Sequence, residues 1–331
     1  MDKILEVENL EQRFDLNKGI LDKLKFKNGK FIKEERIVNA VNNISFSIDK
    51  GKVFSLVGES GCGKSTTART VIKLLEPKGG SIKFNGVDIT NLTGEEMLQY
   101  RKRIQMIFQD PYASLNPRQK IIDILMEPIL FHNVADSKEE AKERALELLK
   151  KVGIRPEQCE RYPHQFSGGQ RQRVGIARAL AVEPEFIIAD EPVSALDVSI
   201  QAQILNLLMD LKDEYNFSYL LIAHNLSVVK HISDDLGVMY LGKIVEKGSK
   251  EQIFSEPLHP YTKLLFSVVP KLSGNNLKNA RGIEGEIPSA INLPSGCYFH
   301  ERCPNAKAIC KEEMPLEKEV KEGHFVLCHQ Y

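Results

Sequence analysis

The sequence has no excess of either charge. Its 45 Lys and Arg balance its 45 Asp and Glu, which does not favour a basic surface for wrapping nucleic acid, and no nucleic-acid partner is expected. No run approaches the ~18 consecutive apolar residues that a membrane-crossing helix requires. The opening M-D-K-I-L-E-V-E-N-L is charged where a secretory signal needs an apolar core, so a cytoplasmic chain is expected. Internal repeats and low-complexity tracts are also missing. Cysteine is scarce: of six in 331 residues, Cys62 and Cys159 stand alone, while Cys297, Cys303, Cys310 and Cys328 crowd the last 35. In a reducing compartment that clustering suggests metal before disulfides.

What is present is ordinary globular material, 42% hydrophobic and 27% charged, with a length that suggests about two domains. Residues 4–8 (I-L-E-V-E) and 44–48 (I-S-F-S-I) alternate as half-buried strands do, and they flank a Lys- and Gly-rich insertion or mobile loop at 15–38. K-V-F-S-L-V-G then reads as a strand, followed by a Gly-rich turn and the helical run T-T-A-R-T-V-I-K-L-L. Residues 137–152 read as a charged amphipathic helix stopped by Gly153. Two apolar strands end at Asp190 and His224, with a helical pattern at 200–214 between them, and this alternation implies a largely parallel sheet. Beyond Ser255, Pro257, Pro260, Pro270, Gly274 and a polar run mark a linker ahead of the cysteine-bearing module.

The strongest motif is G-E-S-G-C-G-K-S-T: Gly58, Glu59, Ser60, Gly61, Cys62, Gly63, Lys64, Ser65 and Thr66. It satisfies G-x-x-x-x-G-K-[ST] between a strand and a helix. Its glycines let successive N–H groups and the helix N-terminus point at phosphate, while Lys64 supplies a point charge and Ser65 a Mg²⁺ ligand. Cys62 reads as a small residue, with a reactive thiol as the alternative. F-I-I-A-D-E delivers Asp190 and Glu191 to the C-terminal edge of the sheet. Asp190 suits the Mg²⁺ shell, and Glu191 suits a base that polarises water; taken alone, the two can instead cap the next helix.

F-S-G-G-Q-R-Q-R-V-G-I-A-R-A-L, residues 166–180, resembles the signature of the ATP-binding-cassette (ABC) ATPases. The resemblance runs from Ile4 to about Gln252 and implies a P-loop α/β fold, a RecA-like core with a β-rich edge and a helical signature subdomain. Cassettes of this family close head to tail around ATP. Ser167, Gly168, Gly169 and Gln170 would then cradle the γ-phosphate in the partner's site. Gln109 matches the family's glutamine loop, which touches Mg²⁺ or water. Ser194, Ala195, Leu196 and Asp197 match the loop that crosses the dimer interface. His224 matches the switch histidine, followed here by Asn225 where the family usually has Asp. Phe14 stands where the family stacks an aromatic under adenine; the alternative for it is a core position.

D-P-Y-A-S-L-N-P-R, H-N-L-S-V-V-K-H-I-S-D and P-L-H-P-Y-T-K-L-L look like the ATPase subunits of dipeptide/oligopeptide importers. The insertion looks like the subunit labelled F rather than D. The resemblance implies a second ATPase subunit as heterodimer or homodimer partner, two membrane permeases, an extracytoplasmic peptide-binding protein reached indirectly, and a place on the cytoplasmic face of the membrane. It divides the chain into an ATPase domain at 1–254 and a linker with C-terminal module at 255–331. The tail spacing C-x5-C-x6-C-x17-C leaves Zn²⁺, an iron–sulfur cubane or free thiols open, although the absence of a C-x-x-C pair makes a zinc knuckle less natural. The resemblance implies a [4Fe-4S] cluster. His300, His324 and His329 read as local hydrogen-bonding partners. Alternatives to the peptide importer are a nickel or other small-solute importer, a soluble cassette ATPase acting on ribosomes or DNA, and a non-hydrolysing regulatory cassette. Intact Glu191 and His224 argue against the last of these.

Overall fold

The computed structural model describes residues 2–17, 24–27, 30–33, 36–267 and 288–331, with backbone alone at 24–27 and 30–33. The polar run at 274–282 and much of the insertion lie outside the described residues; within the insertion Leu24–Lys27 and Lys30–Lys33 pair as an antiparallel hairpin. The chain forms two compact units, one made of Met1–Ile4, Ile48–Ser55 and Asn91–Asp234, the other of Leu5–Ser47, Leu56–Thr90 and Asp235–Tyr331. No helix among the described residues is long and apolar enough to cross a membrane.

In the first unit Phe186–Asp190 lies between Ile104–Ile107 and Ser218–Ile222, parallel to both. Every residue of Phe186–Asp190 and Ser218–Ile222 is buried. Both faces are covered, which is why these strands read as continuous apolar runs instead of alternating ones. The amphipathic helix spans Lys138–Lys151, close to the sequence expectation. Ser137 caps it by accepting from the Glu140 N–H at 3.1 Å, Gly153 follows it at φ 76°, and Ala141, Ala145 and Leu149 bury one stripe.

The second unit carries a four-stranded antiparallel sheet in the order Ile37–Asp49, Lys3–Asp15, Gly79–Phe84, Val87–Asp88. The helix after the phosphate loop spans Lys64–Val71 and stops short of the expected run to Leu75. Lys73 turns left-handed at φ 61° because its buried ammonium bonds Glu76 and, at 2.6 Å, the Thr90 carbonyl. A second ladder pairs Asp235–Tyr240 with Lys243–Ser249. Onto its outer edge the tail adds His324–Leu327, with Glu246 opposite Val326. Buried Glu246 accepts from the Leu258 and His259 N–H groups at 2.8 Å each and meets His324 Nε2 at 2.8 Å. The tail therefore shares a compact unit with the phosphate loop.

Candidate functional site

Within the second unit, the strand ending at Val57 leads into the loop Gly58–Gly63, and the helix Lys64–Val71 begins at its end. Gly63 holds φ +110°, and a β-carbon there would stand 2.1 Å from the Ala40 carbonyl oxygen. Gly58, at φ +153°, would place one 2.2 Å from the Met239 carbonyl oxygen. Only glycine fits either position, and the backbone is left bare where phosphate must approach closely. The Lys64 ammonium donates to the carbonyls of Gly58 at 2.8 Å and Glu59 at 3.0 Å. Burial pushes the Cys62 thiol pKa up although Lys64 pulls the other way; a protonated thiol is a poor nucleophile, so Cys62 fits its reading as a small residue.

Phe14 is half-buried near the end of Lys3–Asp15. With Arg13, Asp15, Ile37, Leu75 and Lys78 it lines an open cavity of about 460 Å³.

Within the first unit, Asp190 ends its strand at 1% exposure. Glu191 follows in the left-handed region at φ 46°, its N–H donating to the Ile222 carbonyl at 3.0 Å. That turn brings its carboxylate to two of the residues singled out in the sequence. Gln109 Nε2 donates to Glu191 Oε2 at 2.8 Å, and His224 Nδ1 lies 3.5 Å from the same oxygen. The helix Gly168–Leu180 starts with a reciprocal capping box: Ser167 Oγ accepts from the Gln170 N–H, and Gln170 Oε1 accepts from the Ser167 N–H. A β-carbon at Gly169 would stand 2.6 Å from Ile200 Cγ2. Asp197 precedes Val198–Tyr215 and starts that helix through its carbonyl, which accepts from Ile200 and Gln201. Of the residues expected to serve Mg²⁺, Ser65 belongs to the second unit and Gln109 and Asp190 to the first.

The tail cysteines need a correction. They share one module, and the Cys297 N–H donates to the Cys310 carbonyl at 2.8 Å. Yet among the described residues no group of three His, Cys, Asp or Glu side chains stands together as a metal shell. The expected four-thiolate centre is not assembled. Burial raises the pKa of Cys297 to about 11 and pushes Cys303 and Cys328 up as well, and charge on neighbouring cysteines adds to each. In kind, the donors suit a soft metal: Cys297, Cys303 and Cys328 take backbone hydrogen bonds from Phe299, Asn305 and Gln330, and Cys310 Sγ accepts from the Lys307 N–H at 3.4 Å. The three histidines bond locally, His300 to the Cys297 carbonyl, His324 to Glu246 and His329 to the Glu313 carbonyl.

Sequence reading missed the surroundings of Glu59. Its N–H donates to Tyr261 Oη at 2.9 Å, and its carboxylate meets Arg302 of the tail at 2.8 and 2.9 Å. No local pattern signals a pair 243 residues apart.

Residues 41–194 match the ABC transporter family, and 245–310 match the oligopeptide/dipeptide transporter C-terminal region. The chain is 51% identical over 331 residues to the oligopeptide transport ATP-binding protein AppF of Bacillus subtilis (strain 168), with 99% of this chain and 97% of that protein covered. It is 47% identical over 325 residues to the dipeptide transport ATP-binding protein DppF of Escherichia coli (strain K12), with coverage of 98% and 93%. The dimeric post-hydrolysis structure of the ATP-binding cassette MJ0796, bound to ADP and Pi, superposes with a TM-score of 0.63 at 28% identity, covering 74% of this chain and 98% of that one.

Proposed function

The chain belongs to the ABC transporter family, in its oligopeptide/dipeptide branch, and from that premise we propose that it is the ATP-hydrolysing subunit of an importer carrying dipeptides or oligopeptides across the cytoplasmic membrane. Full-length similarity to peptide transport proteins supports the substrate class. For the chemistry, the observation that carries the reading is the meeting of Gln109 and His224 on one oxygen of Glu191.

In this reading the loop Gly58–Thr66 binds the polyphosphate through its backbone N–H groups and Lys64, and Phe14 stacks on adenine. Ser65, Asp190 and Gln109 would hold Mg²⁺, which supplies charge neutralisation on the phosphate oxygens. Glu191 takes a proton from the attacking water, with Gln109 fixing its carboxylate, and His224 contacts the γ-phosphate. Ser167–Gln170 and Asp197 serve the partner's nucleotide across a head-to-tail dimer, homomeric or heteromeric. The chain then sits as the F-type subunit on the cytoplasmic face of two permeases, receiving peptide indirectly from an extracytoplasmic binding protein. We keep 1–254 as the ATPase portion and 255–331 as linker and module in this functional division. For the module, the hydrogen bonds offered to all four sulfurs support a [4Fe-4S] cluster, with Zn²⁺ as the rival metal.

The experiment is reconstitution with the neighbouring permeases and binding protein in vesicles. ATP-dependent accumulation of labelled dipeptide but not Ni²⁺ is expected. Accumulation of Ni²⁺ alone, or ATPase activity stimulated only by ribosomes or DNA, would overturn the assignment. Anaerobic preparation should bring about four iron atoms per chain if all four thiolates hold one cubane; stoichiometric zinc without iron would replace the cluster.

A further inference from the structure

A loop that binds polyphosphate should carry no uncompensated anion, yet Gly58–Thr66 contains one carboxylate, Glu59. At close range a like charge opposes the ligand by an amount that grows with the number of phosphates. In this chain the carboxylate is engaged on both oxygens by the fork of Arg302, at 2.8 and 2.9 Å. The Arg302 side chain is only 5% exposed and that of Glu59 22%, so the pair is shielded from solvent and salt more than a surface pair would be. Planar bidentate pairing fixes direction as well as charge. The rest of Glu59 is held too, its N–H by Tyr261 and its carbonyl by Lys64.

Arg302 is itself held in place. It ends the short 3₁₀ turn His300–Arg302 of the tail module. Its guanidinium donates to Tyr240 Oη at 3.3 Å and lies over the Tyr240 ring at 5.7 Å. Tyr240, Tyr261 and Phe299 pack against one another with ring centroids 4.8–5.4 Å apart, forming an aromatic wall around the pair.

We propose that Arg302 is a positioning residue of the nucleotide site: it masks the single carboxylate of the phosphate loop and turns it away from the incoming phosphates. The tail module thereby contributes to ATP binding without touching nucleotide. The inference rests on the reading of Gly58–Thr66 as the ATP phosphate site.

The test is calorimetric titration of the full chain with Mg·ATP, Mg·ADP and adenosine, alongside thermal melts. Arg302→Ala should weaken ATP about tenfold, ADP less and adenosine not at all, because the exposed Glu59 charge opposes phosphate. Adding Glu59→Ala to it should restore ATP affinity to within about threefold of wild type, since the charge needing a mask is gone. Arg302→Lys keeps the charge and loses the fork; it should fall between wild type and Arg302→Ala, and it carries the test if Arg302→Ala fails to fold. Wild-type ATP affinity in a folded Arg302→Ala or Arg302→Lys chain would overturn the proposal. So would a double variant as weak as Arg302→Ala, or equal losses for ATP and adenosine. Failure of the wild-type chain to bind ATP at all would instead remove the phosphate-loop reading, and the proposal with it.

Discussion

Gly63 shows how little freedom the phosphate loop has at the scale of one residue. A methyl group there collides with the Ala40 carbonyl, which is backbone and cannot move aside cheaply. Gly63→Ala is therefore expected to displace the loop and weaken ATP binding by at least about tenfold, read by calorimetry on chain that still folds; undiminished affinity would contradict the steric account. Glu191→Gln keeps size and hydrogen bonding but removes the base. In the proposed role it should leave ATP binding intact while turnover falls by about a hundredfold or more, measured with the partner cassette present, and wild-type turnover would dismiss Glu191 as the base. The phosphate-loop glycines Gly58 and Gly63 were legible in the sequence because the turn they make lies between a strand and a helix that adjoin it along the chain. Arg302 was not, because its meaning comes from a residue 243 positions away.

Between the strand Lys243–Ser249 and the helix Pro260–Ser267, the chain buries an imidazole. His259 is 1% exposed, its Nδ1 accepts from the Tyr261 N–H at 3.0 Å, and burial first, then Lys263, lowers its pKa from 6.5 to about 3. The folded chain holds it neutral, whereas the unfolded chain protonates it below 6.5. Its contribution is thus complete above pH 6.5 and is lost as pH falls toward 3, by up to about 1.4 kcal/mol per pH unit. Urea midpoints at pH 7.5, 6 and 5 should show His259→Asn losing stability less steeply than wild type; parallel slopes would refute the buried neutral histidine. The helices Lys138–Lys151 and Val198–Tyr215 and the strands Phe186–Asp190 and Ser218–Ile222 could be read from periodicity and end signals. The early end of the helix Lys64–Val71 could not, since it is set by the pairing of Lys73 with Glu76 and the Thr90 carbonyl rather than by helix propensity.

For the molecule as a whole, Pro, Gly and polar residues after Ser255 suggested a module apart, but its last strand pairs with Lys243–Ser249 and its His324 bonds a carboxylate in that ladder. Composition marks a linker; it does not say where the chain returns. His324→Ala leaves buried Glu246 with one partner fewer, a cost of about 2 kcal/mol, or a melting temperature lower by roughly 4–8 °C; an unchanged melt of the full chain would show that this anchor does not matter. Glu191 holds the left-handed backbone at φ 46°, a conformation that costs an ordinary side chain roughly 1–2 kcal/mol and that Asn tolerates better. Glu191→Asn should therefore melt about 2–4 °C higher while hydrolysing nothing. An inactive enzyme that outlasts the active one would mean that this chain gives up durability for speed at the residue proposed to set its rate.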